Sequence, residues 1–167
     1  MRLYFRLLTT SIQARYKELL TPLDESVVEL RVMPTDIDCY GRMHSSRYSN
    51  LMELGWTDFT TRIGLSNLTH RHRWKNRMIA VNMNYLHPLR LLQRYTLSTR
   101  LLYWDNRYLY LEQRFQVGKT TVAIGRTKAM ICGRHDSIAP GYLLELLGYD
   151  PTSPKMPAAI QHWIQVN

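Results

Sequence analysis

The sequence predicts an α+β domain: an antiparallel sheet of about five strands covering one long helix, with accessory helices at both ends. Three features point there. Between residues 45 and 63, Tyr48, Leu51, Met52, Gly55, Phe59 and Ile63 recur at three- and four-residue steps, which lines them along one side of a helix. One strand-like segment precedes this helix and four follow it in succession. Asp105-Asn106 and Gly118-Lys119 then punctuate the last of these segments as tight turns, the signal of hairpins.

Taken in order, residues 3–20 read as an amphipathic helix. Phe5, Leu8, Ile12, Tyr16, Leu19 and Leu20 share a broad face, with Arg2, Arg6, Gln13 and Lys17 largely elsewhere. Thr21-Pro22 ends it, because proline disfavours helix in the residue before it. Residues 1–22 are thus an N-terminal helical segment, and 23–167 the main domain. The apolar face, with cations at Arg2, Arg6, Arg15 and Lys17, suits either packing on the domain through Phe5, Leu8 and Ile12 or weak contact with an anionic membrane surface.

Residues 26–33 alternate: Val28, Leu30 and Val32 against Glu29 and Arg31, a half-buried strand stopped at Pro34. A polar loop with Asp36 and Asp38 leads to the long helix, for which Ser45 or Ser46 is the expected N-cap. Residues 66–77, with the cluster HRHRWKNR, read as a polar connection, and 78–86 as a strand closed by His87-Pro88. In residues 93–104, Tyr95, Leu97, Thr99, Leu101 and Tyr103 alternate with Arg94, Thr96, Ser98 and Arg100. Residues 107–117 place Leu109, Leu111, Phe115 and Val117 on one face, and residues 120–132 are apolar on both. A loop at 133–139, a short helix at 140–147 ending at Gly148, a linker at 151–157 and a final helix at 158–166 complete the chain.

With 167 residues, 45% of them hydrophobic and 21% charged, the chain suits one globular domain rather than a disordered one. It has no run near the roughly 18–20 apolar residues of a membrane helix, and its first residues, interrupted by Arg6, make a poor signal peptide. Cys39 and Cys132 form no C-x-x-C pair and no zinc spacing with the six histidines, so no metal is expected and a reduced cytoplasmic setting, at most peripheral to a membrane, is the simple reading. The net charge of +9 favours phosphate-bearing partners. Charge alone does not argue for nucleic acid, which is not expected as a partner.

The segment TDIDCYGRMHSSRYSNLMELGWTDFTTRI carries the pattern D-x-D-x-x-G-x-M-x-x-x-R-Y ahead of an apolar helix with a carboxylate. It resembles the active-site segment of hot-dog-fold acyl-CoA thioesterases of the 4-hydroxybenzoyl-CoA thioesterase-like group, and within it the family of thioesterase superfamily member six. That family usually reads D-x-D-x-x-x-H-M-N-N-x-R-Y; here Arg42, Met43, His44 and Ser45 stand for His, Met, Asn and Asn. The similarity continues through residues 88–115 and Gln161-His162-Trp163, and so covers nearly the whole chain from Val27. It implies a hot-dog fold, a homodimer or dimer of dimers with sites at the interface, and acyl-CoA hydrolysis with coenzyme A as part of the substrate and no separate cofactor.

Thioester hydrolysis needs a group that activates water or attacks the carbonyl, and donors for the oxyanion. The resemblance puts Asp38 at the family's catalytic aspartate, as base or nucleophile. Backbone N–H groups at Ser45 and Ser46 are the candidate oxyanion donors, since a helix N-terminus offers free N–H groups and a positive dipole end. Glu53, fifteen residues after Asp38, is placed to orient water or substrate. Arg42, His44 and Tyr48 are assigned to the substrate, and Arg71, Arg73, Lys75 and Arg90 to the CoA phosphates. Asp36 reads as a turn residue bonding its local backbone. Arg42 introduces a permanent cation that would lower the basicity of Asp38 if the two met. The alternative is a catalytically weak acyl- or CoA-binding protein acting at a membrane or in a complex.

Overall fold

The computed structural model describes residues 2–134 and 136–166. Helix α1 (Arg2–Tyr16) leads to strand β1 (Ser26–Arg31), a short 3-10 turn (Pro34–Asp36) and the long helix α2 (Ser45–Arg62). Helix α3 (Leu65–His72) and strands β2 (Lys75–Tyr85), β3 (Arg94–Trp104), β4 (Leu109–Val117), β5 (Thr120–Cys132) and β6 (Ser137–Ile138) follow, then helices α4 (Pro140–Leu146) and α5 (Ala158–Val166). The strands form one antiparallel sheet in the order β1-β3-β4-β5-β2, with β6 added on β5. This is the expected sheet wrapped around a central helix.

Helix α2 buries the predicted stripe. Tyr48, Leu51, Met52, Phe59 and Ile63 are each at most 3% exposed, against Leu97, Phe115 and Ala123 at one end and Leu101, Leu111 and Ile131 at the other. Each such apolar side chain contributes about 1.5–3 kcal/mol on burial, which pins the helix to the sheet. Helix α5 covers the opposite, outer face, where Ile160 and Trp163 pack around Tyr110.

Two stretches depart from the sequence reading. Residues 66–77 are not a plain polar connection. Gly64, at φ +85°, breaks the chain out of α2 and restarts it as α3, on which Leu65 is buried. Strand β2 then begins at Lys75, three residues earlier than the expected position 78. Residues 137–138 of the expected loop add the short strand β6.

The larger correction concerns α1. Phe5, Leu8, Ile12 and Tyr16 do not pack on the domain; they are 68%, 59%, 48% and 88% exposed. The face turned inward carries Arg6, Leu7, Thr10, Ala14 and Lys17 instead. Two buried carboxylates explain the choice. Arg6 pairs with Asp36 at 2.9 Å, and Lys17 with Asp58 at 2.9 Å, where Ser26 Oγ also donates at 2.6 Å and Arg62 approaches at 3.4 Å. Stranding a buried carboxylate without its cation costs about 3–5 kcal/mol, more than the roughly 1.5–3 kcal/mol gained by burying one leucine. The small residues Thr10 and Ala14 let the helices approach closely enough for both pairs to form.

Replacing Asp58 by alanine removes the acceptor of three donors and strands Lys17. We expect a loss of about 3–5 kcal/mol, a fall of roughly 6–20 °C in melting temperature for a domain of this size. A shift under about 3 °C by circular dichroism would show that α1 is held by something else.

Candidate active site

The loop before α2 is built on its two aspartates. Asp36 Oδ2 accepts from Met33 N–H at 2.9 Å and from Arg6, while its backbone carbonyl accepts from His44 N–H at 2.9 Å. It is 5% exposed and holds the loop through its buried ion pair with Arg6. Asp38 is arranged differently. Its Oδ1 accepts from Tyr40 N–H at 2.8 Å and Arg42 N–H at 3.1 Å, and its backbone carbonyl from Gly41 N–H at 3.2 Å. Gly41, at φ +73°, makes the tight turn possible, a conformation costly for a side-chain-bearing residue. Oδ2 of Asp38 has no partner among the described residues.

Asp38 shares an open cleft of about 410 Å³ with Arg42, His44, Ser45, Tyr48, Tyr85 and His87. The cleft lies at the N-terminus of α2. The cap there is His44, not Ser45 or Ser46: its Nδ1 accepts from Ser46 N–H at 3.3 Å and lies 2.9 Å from Ser46 Oγ. The imidazole does the work expected of a serine hydroxyl one position along. The consequence for oxyanion binding is specific. Ser46 N–H is spent on the cap, whereas Ser45 N–H has no partner among the described residues. Arg42 meets Asp38 through its backbone N–H; no ion pair joins the guanidinium to the carboxylate within 4.0 Å. Tyr48 lines the cleft from the core side. It is 3% exposed, its hydroxyl accepts from Leu89 N–H at 3.4 Å, and burial pushes its acidity constant above the usual phenol range.

Glu53 does not join this cleft. It stands exposed at the rim of a second cavity of about 340 Å³, between α2 and the inner face of β2, β4 and β5, near Trp56, Gln113 and Thr127. Met52 on the wall of this cavity is one helical turn beyond Tyr48 of the cleft, roughly 6 Å along α2. The helix comes closest to the sheet at Gly55. A Cβ there would collide with Thr99 Oγ1 and Gln113 Nε2. Its absence lets the Gln113 amide donate to Met52 O at 2.8 Å and Thr99 Oγ1 at 3.0 Å.

The four cations assigned to CoA phosphates fall into two groups. Arg90 bridges to Arg42 beside the cleft. Arg71, Arg73 and Lys75 lie at the end of α3 and the start of β2. The eleven-residue β2 separates them from the cleft wall at Tyr85 by roughly 33 Å. Within one subunit they cannot form one phosphate site.

Gln113, Tyr85 and His87 were not singled out by sequence pattern. Gln113 left a signal. It has the same phase as Leu109, Leu111, Phe115 and Val117, so a polar residue interrupts an inward-facing run. Thr127 left a weaker one, because β5 is apolar on both faces and its phase is ambiguous.

Comparison with known proteins agrees with this architecture. Protein THEM6 of Xenopus laevis is 29% identical over 163 residues, covering 96% of this chain and 75% of that one. Protein THEM6 of Danio rerio is 32% identical over 146 residues, covering 86% and 70%. The solved structure of SAV2348 from Staphylococcus aureus in complex with CoA superposes with a TM-score of 0.68 at 17% identity, over 86% of this chain and 96% of that one. The family described as the thioesterase-like superfamily matches residues 32–164, from just after β1 into α5, and the chain therefore belongs to the thioesterase-like superfamily.

Proposed function

We propose that the protein is an acyl-CoA thioester hydrolase with Asp38 as its base or nucleophile and Ser45 N–H as its oxyanion donor. One observation carries this reading. At the mouth of one cleft, a carboxylate oxygen and a helix-terminal N–H are both unspent among the described residues, while Asp36 is buried against Arg6 outside the cleft and Ser46 N–H is used by the cap. A thioester carbonyl seated at Ser45 gains from the N–H and from the positive end of the α2 dipole as negative charge develops. In the general-base route, Asp38 Oδ2 takes a proton from the attacking water. The tetrahedral intermediate then expels the CoA thiolate, which receives that proton. The product is the free carboxylic acid and CoA.

The separated cations favour a second element of the proposal, a homodimer. Strand β2 is exposed along its length and has a free edge. An exposed edge invites another strand. A second copy pairing antiparallel there brings the start of one β2 towards the end of the other. Arg71 of the partner subunit, Arg73 of the partner subunit and Lys75 of the partner subunit would then approach Arg42 and Arg90 beside the cleft, where CoA phosphates need charge. A third element is weak contact of α1 with a membrane surface. Its support is the exposed row Phe5, Leu8 and Ile12. Arg6 and Lys17 are committed to Asp36 and Asp58, so apolar insertion rather than charge drives it. The weak acyl- or CoA-binding alternative rests on Arg42 and His44, which depart from the family motif.

Asp38→Asn is expected to lower kcat/KM on the best acyl-CoA by at least ~10²-fold without changing the melting temperature. Near-wild-type turnover would remove Asp38 from the chemistry, and CoA binding without turnover of any ester by the wild type would favour the alternative. Light scattering should give a dimer at micromolar concentration. Neutralising Arg71, Arg73 and Lys75 together should raise KM most at low salt, where screening is weakest; a fully active monomer sinks this arrangement. In co-sedimentation with phosphatidylcholine–phosphatidylserine vesicles, the wild type should bind weakly and Phe5→Glu/Leu8→Glu should not. Absence of wild-type binding rules the contact out.

A further inference from the structure

The cavity beside Glu53 has walls of one kind and a floor of another. Met52, Trp56, Met78 and Leu111 make its sides apolar. At its base stand two buried polar side chains, Gln113 at 3% exposure and Thr127 at 5%. The Gln113 amide nitrogen is spent on Met52 and Thr99, which fixes the side chain and leaves its carbonyl oxygen without a partner among the described residues. Thr127 Oγ1 is buried with no hydrogen-bond partner among the described residues. An unpaired hydroxyl in an apolar chamber is costly to maintain unless something arrives to bond it.

Resting on the hydrolase reading above, we propose that this cavity takes the acyl chain and that Thr127, with Gln113, selects chains carrying a hydroxyl or keto oxygen deep in the chamber over plain hydrocarbon ones. The depth follows from α2. Ser45, at the carbonyl end, and Met52, opposite Gln113, are seven residues apart, roughly 10 Å along the helix. The polar atom of the substrate therefore stands about that far from the thioester carbon. A cavity of about 340 Å³ is at the small end of ligand sites and suits a medium-length chain. A site built to bond a substrate hydroxyl rejects the analogue lacking it, because its own polar groups are then left unpaired.

The test compares ω-hydroxydecanoyl-CoA with decanoyl-CoA. Wild type is expected to prefer the hydroxylated ester by about tenfold in kcat/KM, the scale of one buried hydrogen bond. Thr127→Val keeps the shape and removes the hydroxyl, so the ratio should fall to about one; Thr127→Ser keeps the hydroxyl and should keep the preference. The melting temperature of Thr127→Val should be unchanged or higher, since it removes an unpaired polar atom. A fall of more than a few degrees would show that the hydroxyl is already bonded and overturn the proposal. A wild-type ratio near one, or a ratio unaltered in Thr127→Val, overturns it equally. If neither ester is hydrolysed, calorimetry with ω-hydroxydecanoate and decanoate decides the selectivity apart from the hydrolase reading: tighter binding of the hydroxy acid, lost in Thr127→Val, supports it, and equal binding refutes it.

Discussion

The approach of α2 to the sheet at Gly55 is the constraint on which the rest of the molecule depends. With no side chain at that position, the helix sits low enough for Gln113 to bond the Met52 carbonyl. That bond fixes the height of the helix over β3 and β4, and so the depth of the cavity beside Met52 and Trp56. It also sets where the N-terminus of α2 emerges, and with it the position of Ser45 relative to Asp38. A methyl group at Gly55 would push against Thr99 and Gln113 at once, and overpacking of this kind typically costs 1–3 kcal/mol.

The fold was largely legible because its periods are clean. The stripe from Tyr48 to Ile63 and the alternation of β1 each have one buried face, and in β3 and β4 the apolar residues Leu97, Leu101, Leu109, Leu111 and Phe115 keep a single phase, so sequence phase reports structure directly. Helix α3 was missed because it is short and mostly polar, with Leu65 and Leu68 as its apolar ties to the core. The inward face of α1 was hidden for a different reason. Its apolar residues left packing and membrane contact both open, and the choice is made by Asp36 and Asp58, both distant in sequence, which recruit Arg6 and Lys17.

At the site, the loop carboxylates and the start of α2 were visible as a motif, but their division of labour was not. Asp36 and Asp38 look equivalent along the chain; only the structure shows Asp36 buried in an ion pair with Arg6 and Asp38 facing the cleft. The cap was displaced to His44 because an imidazole nitrogen can accept as a serine oxygen does, a substitution outside the usual N-cap preferences. Distance was the other blind spot. Glu53 and the cations at 71–75 seem near Asp38 in the sequence, and the length of β2 and the pitch of α2 carry them away.

The strand order has a consequence for how the chain is made. Strands β3, β4 and β5 are joined by tight turns and can pair as soon as they exist. The two edges cannot: Ser26 pairs with Thr99 and Lys75 with Cys132. Such distant pairings are slow to close, because loop entropy must be lost before the contacts form. During synthesis the apolar stripe of α2 therefore leaves the ribosome well before the strands that cover it. Until β5 is complete, that stripe is open to any passing hydrophobic surface, and the nascent chain is more vulnerable to misassociation than the finished domain.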